Sequence, residues 1–509
     1  MRRYVSMWFI VVMVVTGLAS AARTQGPPEG QLILGMDFTI VPAFLDPSEM
    51  TGATAAIFAY ALHDALLKPL PGNPLAPALA ASWTESPDGL VYEFTLREGV
   101  TFHNGDPFTA EDVRYSFVRY KGVFASLLHQ KVQAVEILDA HRLRFVLHTP
   151  WPDFLTIYGA LVSGAAWVVP KSYVERVGDA GFKQHPIGLG PYRFVRATPG
   201  TELVLEAYDR YWGTPPAIQR LLFKSVPEPT TRLAMLKTGE LDMGILPPDE
   251  AAAITGNPKL RLVHATTGIT AWLEFLGQWD PASPWHDRRV RLAANLAIDK
   301  QAINDVAGLG LDRPTGSIIP RVLEFALPLE PFPYDPVQAK RLLAEAGYPN
   351  GFDAGDLTPF PPILRVAEAV SNYLGAVGIR TQLRTMERAT WAQVWREKKL
   401  KGLVLAESPR LGNAATRIEQ YVLGTGIAYG SSPDLDALFQ QQVVARDHPT
   451  REALLHQLQS LMHERVMHAP LLERAVLYGV GPRVAEPAIG LIPLLTFAAP
   501  YEEMRLKRP

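Results

Sequence analysis

The sequence predicts an α/β protein built from more than one domain, and three observations carry this. First, period-two alternation recurs in short runs. Tyr92, Phe94 and Leu96 alternate with Glu93, Thr95 and Arg97, so one face of a strand is apolar. Second, segments with helical punctuation lie between such runs. At Tyr334-Asp335-Pro336, Asp335 is placed to cap a helix, Pro336 takes its first position, Leu342, Leu343 and Ala346 share a face, and Gly347 ends it. Third, 509 residues of which 48% are apolar can bury more than one core, so two or three domains are expected.

Taken in order, the chain opens with a targeting segment. Arg2 and Arg3 are followed by an unbroken apolar run at 8–15 and by Ala19-Ser20-Ala21, an A-x-A cleavage site, so residues 1–21 are read as a signal peptide. The apolar run is too short to span a bilayer, and no other segment is apolar enough to do so. A Pro-Gly linker covers 25–30, and residues 32–36 read as a first strand. Leu45-Asp46-Pro47 follows, then a helix over 53–67. Asn104-Gly105 supplies a turn. Thr109 with Asp112 reads as a capping box for a helix carrying Val113, Phe117 and Tyr120 on one face. Leu143, Phe145 and Leu147 mark another strand. Pro186-Ile187-Gly188-Leu189-Gly190-Pro191-Tyr192 reads as a tight crossover turn, because neither phosphate-binding glycine pattern is present. A helix at 233–239 is closed by Gly239, with a strand start after it. Helices at 290–297 and 364–374 and a strand through Ile379, Thr381 and Leu383 complete the reading, with Asp299 as a cap.

Composition excludes several functions. The formal net charge is −2, with no basic tract, so nothing favours nucleic acid. The chain has no cysteine, which removes disulfides, thiolate metal sites, a Cys nucleophile and a lipid-bearing cysteine. His463-Glu464 with His468 is not a zinc-protease helix. The two histidines are five apart, about 140° round a helix, and are read as partly exposed polar positions on an amphipathic helix. His456 and His463 share a face but lie two turns apart. No G-x-S-x-G is present and no carboxylate pair stands out. No catalytic residue, no protein-only metal site and no cofactor are expected, although capture of a chelated metal stays open.

The order of motifs closely resembles the extracytoplasmic solute-binding proteins of family 5, the binding proteins of peptide/nickel ABC importers. The residues that carry the resemblance are Leu79-Ala80 with Ser82-Trp83, Ser86 with Asp88-Gly89, the aromatic strand ending Leu96-Arg97, Phe102-His103 with Gly105, and Thr109-Ala110-Glu111-Asp112-Val113. Leu189 stands where the family has Thr. Residues 233–242, LAMLKTGELD, Ile298-Asp299-Lys300 with Lys300 in an Arg position, and the segment from Tyr334 to Tyr348 continue it. The resemblance implies a type II-like periplasmic binding protein fold: two lobes joined by a hinge, with an extra subdomain inserted in the first lobe. Lobe 1 is then 30–68 with 187–272 and 480–509, the inserted subdomain 69–186, and lobe 2 273–479. It also implies capture of a peptide-like or other small, anionic solute in the interlobe cleft. The mature chain is then a monomeric periplasmic protein without a lipid anchor, and its partner is an inner-membrane ABC permease complex. A periplasmic sensor of the same fold and a secreted hydrolase are the alternatives.

For ligand choice the informative segment is 386–429. In peptide-binding relatives it supplies an aromatic residue and, about twenty residues later, an Asp for the peptide's amino group. Here Arg388 takes the first position and Glu407-Ser408-Pro409-Arg410 with Gly412-Asn413 replaces the Asp-containing stretch, with Glu407 as a candidate substitute. Arg388, Arg410 and Arg417 are candidates for forked recognition of a carboxylate, against solvated arginines on loops and helix faces. Trp391 and Trp395, at i and i+4, share a helix face that is either core or a stacking wall. Near the N-terminus the resemblance places Met50, Thr51, Gly52 and Thr54 at the cleft border. The candidate site is therefore Met50, Thr51, Gly52, Thr54, Arg388, Trp391, Trp395, Glu407, Ser408, Arg410 and Asn413.

Overall fold

The protein is described from a computed structural model. It covers residues 27–508 except 50–52, 123, 160–162, 408–411 and 493–499, and it leaves out the side chains of 53–55 and 389. The N-terminal 26 residues, with the expected signal peptide, therefore lie outside the described residues.

One sheet of 11 strands runs through both lobes. On the first-lobe side its order is Tyr192–Thr198, Glu202–Ala207, Ile218–Ser225, Glu29–Met36 and Met243–Ile245. Two long antiparallel strands follow, His468–Val480 and Arg261–Phe275, and then Leu403–Glu407, Phe352–Pro359 and Ile379–Leu383 of the second lobe. The short strand Arg313–Pro314 pairs with His468–Val480 off this path. The two long strands belong to both lobes. Arg261 to Thr266 pair with Val480 to Ala475 beside Met243–Ile245, whereas Ala271 to Phe275 pair with Glu407 to Leu403. The ladder shifts register between Thr266 and Thr270, so the change of lobe falls there and, on the returning strand, at Glu473 to Ala475.

Alternation along these strands sets the cores of lobe 2. Ala271, Leu273 and Phe275 join Leu403 and Leu405 on one face, and Trp272 joins Val404 and Ala406 on the other. Both faces are covered by helices, which is why these strands read as continuous apolar runs. The inserted segment forms a four-stranded antiparallel sheet in the order Ala80–Glu85, Val91–Leu96, Arg142–Leu147 and Val132–Asp139. Its Phe94, Phe117 and Phe145 belong to the same continuous core as Phe58 and Phe223 of lobe 1. A buried ion pair fastens the two: both Arg119 terminal nitrogens donate to Asp46, at 2.7 and 2.6 Å.

Most expected elements form for the expected reasons. The strand Val91–Leu96 buries Tyr92, Phe94 and Leu96. Thr109 donates its backbone N–H to Asp112 at 2.9 Å, the capping box of Ala110–Arg119. Asp335 accepts from the Gln338 N–H at 2.8 Å at the head of Pro336–Glu345. Pro229–Thr238 ends on Gly239 at φ 81°. The helix expected over 53–67 is shorter, Ala53–Leu62, and its tail is recast as the strands Asp64–Ala65 and Leu67–Leu70. What ends it is the crossover turn at 186–192. Gly190 donates to the Leu62 carbonyl at 3.0 Å, and a Cβ on Gly188 would stand 1.9 Å from that same oxygen. Both glycines are needed for close approach of backbone to backbone.

His468 corrects the helix expectation: it opens the strand His468–Val480 and is buried, 3.2 Å from Glu274. His463 ends the helix His448–Glu464 and stacks on Phe332. Apolar sequence continues past the helix, so five-residue spacing alone does not reveal the switch to a strand.

Gly188→Ala should destabilise the protein by about 2 kcal/mol or more, because the clashing atom is backbone and cannot rotate away. A chemical-denaturation midpoint equal to wild type would refute this.

Candidate functional site

The site lies where the two long strands pass from one lobe to the other. A cavity of about 180 Å³ opens there, lined from lobe 1 by Asp37, Arg232 and Pro247, from lobe 2 by Gly308 and Asp312, and from the crossing strand by Arg474. Asp37 follows directly on Glu29–Met36, at the carboxyl end of a central strand, where open α/β sheets form their crevices. Arg474 lies at the register change itself. Its Nη1 is 3.2 Å from Asp312, whose other oxygen accepts from the Ala475 N–H at 2.8 Å. Arg232 is buried, with Nε donating to the Ile245 carbonyl and Nη1 to the carbonyls of Val226 and Pro227.

Charges from both lobes bear on this space. Burial raises the Asp37 carboxyl, and the positive charges of Arg232 and then Arg388 oppose it. Arg388 begins the lobe 2 helix Arg388–Arg396, its guanidinium 5.3 Å from the centre of the Phe360 ring. Glu407 ends the strand Leu403–Glu407. Burial raises its carboxyl, Arg474 and Arg388 oppose this, and Asp312 adds to it. Burial also raises Asp312, against Arg474 and the Ala475 N–H. For Asp37, Glu407 and Asp312 alike, desolvation outweighs the nearby cations.

The lobes also touch away from this cavity. Asp153 of the inserted subdomain accepts from Asn413 at 2.7 Å and from Arg451 at 2.6 Å, both in lobe 2. Arg446 of lobe 2 lies over the Ser86 to Gly89 turn so closely that a Cβ on Gly89 would be 1.8 Å from its Nη1. Arg365 of lobe 2 meets Asp249 of lobe 1 at 2.6 Å. These contacts describe closed lobes.

The expected site residues divide. Arg388 acts electrostatically on Asp37 and on Glu407, but neither Arg388 nor Glu407 lines the cavity. Asn413 caps the helix Ala414–Tyr421 through the Thr416 N–H and spends its amide on Asp153. Trp391 and Trp395 take the core alternative: both are buried among Phe360, Trp272 and Tyr421. Thr54 lies in the first turn of Ala53–Leu62, its side chain outside the described residues; Met50, Thr51, Gly52, Ser408 and Arg410 also lie outside them. Sequence reasoning missed Asp37, Asp312, Arg474 and Asp153. A signal existed for one of them: Glu473-Arg474 interrupts an otherwise apolar strand. Among the described residues no helix is long and apolar enough to cross a membrane, and no group of three or more His, Asp or Glu residues is arranged to hold a metal ion.

A hinge made of two shared strands, with a charged space between the lobes it joins, is the construction of a solute-binding protein. Residues 74–429 match the family model of the bacterial extracellular solute-binding proteins, family 5 (middle), and the chain belongs to that family, the solute-binding components of ABC importers. Similar proteins include di/tripeptide-binding protein 2 of Pseudomonas aeruginosa, 28% identical over 502 residues that cover 90% of this chain and 92% of that one. Heme-binding protein A of Haemophilus influenzae is 28% identical over 453 residues, 81% of each chain. A glutathione-binding protein of Pectobacterium atrosepticum is 28% identical over 387 residues, 74% of this chain and 73% of that one. In fold, the chain matches a periplasmic binding protein of Helicobacter pylori in complex with the peptide STSA at a TM-score of 0.73 and 22% identity, covering 94% and 98% of the two chains. It matches the NikA protein of Brucella suis in complex with Fe(III)-EDTA at 0.80 and 21%, covering 94% and 100%.

Two outcomes follow from this geometry. Asp153→Ala leaves Arg451 without its carboxylate only when the lobes are closed, a penalty of about 3 kcal/mol on that form. Ligand-free D153A should therefore show a larger radius of gyration in small-angle scattering than wild type; superimposable curves would show that the clasp does not hold closure. For Glu407 the sign is set by its raised carboxyl. Its contribution to stability is fully present at acid pH, where folded and unfolded carboxyls are both protonated, and is lost as pH rises through the folded value. Glu407→Gln should melt above wild type at neutral pH, and the difference should vanish towards pH ~4. A gap that widens on acidification would reverse the assignment.

Proposed function

We propose that this chain captures a small peptide-like or otherwise carboxylate-bearing solute between its lobes and hands it to a membrane-embedded ABC permease. It works as a monomer in the periplasm after loss of residues 1–21, without a lipid anchor, and performs no covalent chemistry. What supports the ligand reading is a set of charges from both lobes that act on one another: Arg388 of lobe 2 on Asp37 of lobe 1, and Arg474 and Arg388 on Glu407. A solute with an anionic group meets Arg388, and an amino group meets the carboxylates, whose raised values favour a cationic neighbour. Such a solute touches both lobes at once, so it binds the closed form better than the open one, which is the condition for ligand-linked closure. The similar proteins named for di/tripeptides and for glutathione support a ligand of this chemistry.

The test is titration calorimetry with glutathione and with di- and tripeptides, run beside small-angle scattering. Binding should reduce the radius of gyration without any turnover of the ligand. Arg388 is exposed, so Arg388→Ala should leave the melting temperature of the free protein nearly unchanged. It should weaken the bound carboxylate ligand by about 2 kcal/mol, the scale of a charge-assisted hydrogen bond. Hydrolysis of the ligand, or binding by R388A equal to wild type, would count against the reading.

A further inference from the structure

Among the described residues, one buried arginine keeps buried nitrogens without a hydrogen-bond partner. Arg119 is held by Asp46 and Asp179, and Arg232 by three backbone carbonyls. Arg291 is held by the carbonyls of Val466, Trp285, His286 and Arg465. Arg417 differs. It sits on Ala414–Tyr421 with 1% of its surface exposed, and only Nη2 is engaged, donating to the Gly268 carbonyl at 2.6 Å. Nε and Nη1 are buried and have no partner. No carboxylate of the described residues forms an ion pair with it; its neighbour is the Tyr421 ring, 5.9 Å from the guanidinium carbon. Burial lowers its pKa to about 10.

The location is specific. Gly268 lies in the register change between Thr266 and Thr270, where the strand passes between lobes. Thr270, two residues on, has a fully buried hydroxyl that is also without a partner. On its own helix, Arg417 follows Asn413, whose amide is bound to the inserted subdomain through Asp153. Arg417 thus lies between the hinge and the contact that closes the cleft. A buried guanidinium without a counter-charge is strongly unfavourable, and orphaned buried donors are rare in native proteins.

We infer that Arg417 is the anion anchor of the cleft: its free Nε and Nη1 receive a carboxylate of the solute while Nη2 stays fixed to the hinge at Gly268. The inference rests on the solute-binding reading and adds to it. It assigns recognition of the solute's acid group to a buried lobe 2 side chain tied to the hinge, in addition to exposed Arg388. A neutral ester or amide of the same solute lacks the charge that offsets the guanidinium, so the anchor selects free acids.

The experiment compares wild type, Arg417→Met and Arg417→Lys, using glutathione, its diethyl ester, the dipeptide Ala-Ala and its C-terminal amide as probes. Binding is read by calorimetry and melting by fluorimetry. Wild type should prefer each free acid over its ester or amide, and R417M should lose at least tenfold in affinity for the acids and the preference with it. R417K retains charge but not the planar donor set, so it should bind in between. Ligand-free R417M should melt at or above wild type, because an uncompensated charge has been removed. If R417M instead melts several degrees lower, or keeps wild-type affinity and preference, Arg417 is a packing element and the inference is overturned. If none of the four probes binds wild type, the ligand-free melting of R417M decides alone. Failure of the solute-binding reading looks different: no solute then compacts the wild-type protein in scattering.

Discussion

Two antiparallel strands, Arg261–Phe275 and His468–Val480, are the constraint on which the rest depends. They give each lobe the inner strands of its half of the sheet, so neither lobe completes its core without them. Their pairing shifts register twice, between Thr266 and Thr270 and again between Ala271 and Trp272. A regular ladder resists bending, whereas a bulge leaves backbone groups unpaired and bends the strand locally. The two shifts fall together where the strands leave one lobe for the other. Arg474 and Gly268 both lie at that place, with Asp312 paired to Arg474 and Glu407 on the strand beside Arg261–Phe275.

The contacts that close the lobes differ in kind from those that build them. Asp46 with Arg119 joins the inserted subdomain to lobe 1 through a bidentate, buried pair and a shared aromatic core, so those two parts move together. Asp153 with Arg451 and Asn413 joins the same subdomain to lobe 2, but no hydrophobic core spans that junction among the described residues. An ion pair gains little net free energy once its desolvation is counted. Closure held by such pairs stays near balance, which lets a solute's own contacts tip it.

Local signals were legible in the sequence because each depends on a few neighbouring residues. The alternation at Tyr92, Phe94 and Leu96, the caps at Thr109 and Asp335 and the stop at Gly239 all formed as read. The helix from Ala53 was overextended because Leu66 and Leu67 continue the apolar run, and the glycines that end it lie far along the chain at Gly188 and Gly190. The candidate site was legible only in part for the same reason. Arg388 and Glu407 fall in one sequence neighbourhood, but Asp37, Asp312 and Arg474 come from separate elements that meet only in the folded cleft. Trp391 and Trp395 were undecided because i, i+4 spacing gives a shared face without saying what covers it; Tyr421 and Trp272 do.

The distribution of poorly compensated charge is itself informative. Away from the hinge some buried ionic groups are matched, since Lys68 lies 3.2 Å from Asp64 and donates to Tyr211 at 3.0 Å and Arg291 binds four carbonyls, whereas Glu502 is raised by desolvation and keeps an unpartnered Oε2. At the hinge, Asp37, Asp312 and Glu407 are all raised by desolvation, and Arg417 keeps two unpartnered nitrogens. A sequence selected for stability alone would replace such groups by apolar ones of similar volume, which is often neutral or stabilising. At the hinge they fit a different demand. Groups that are poorly satisfied in the closed protein gain most from a solute of complementary charge, and gain it only when the lobes have closed around that solute. The free energy withheld from the fold at this point is thereby available to distinguish the right solute from a neutral one of the same shape.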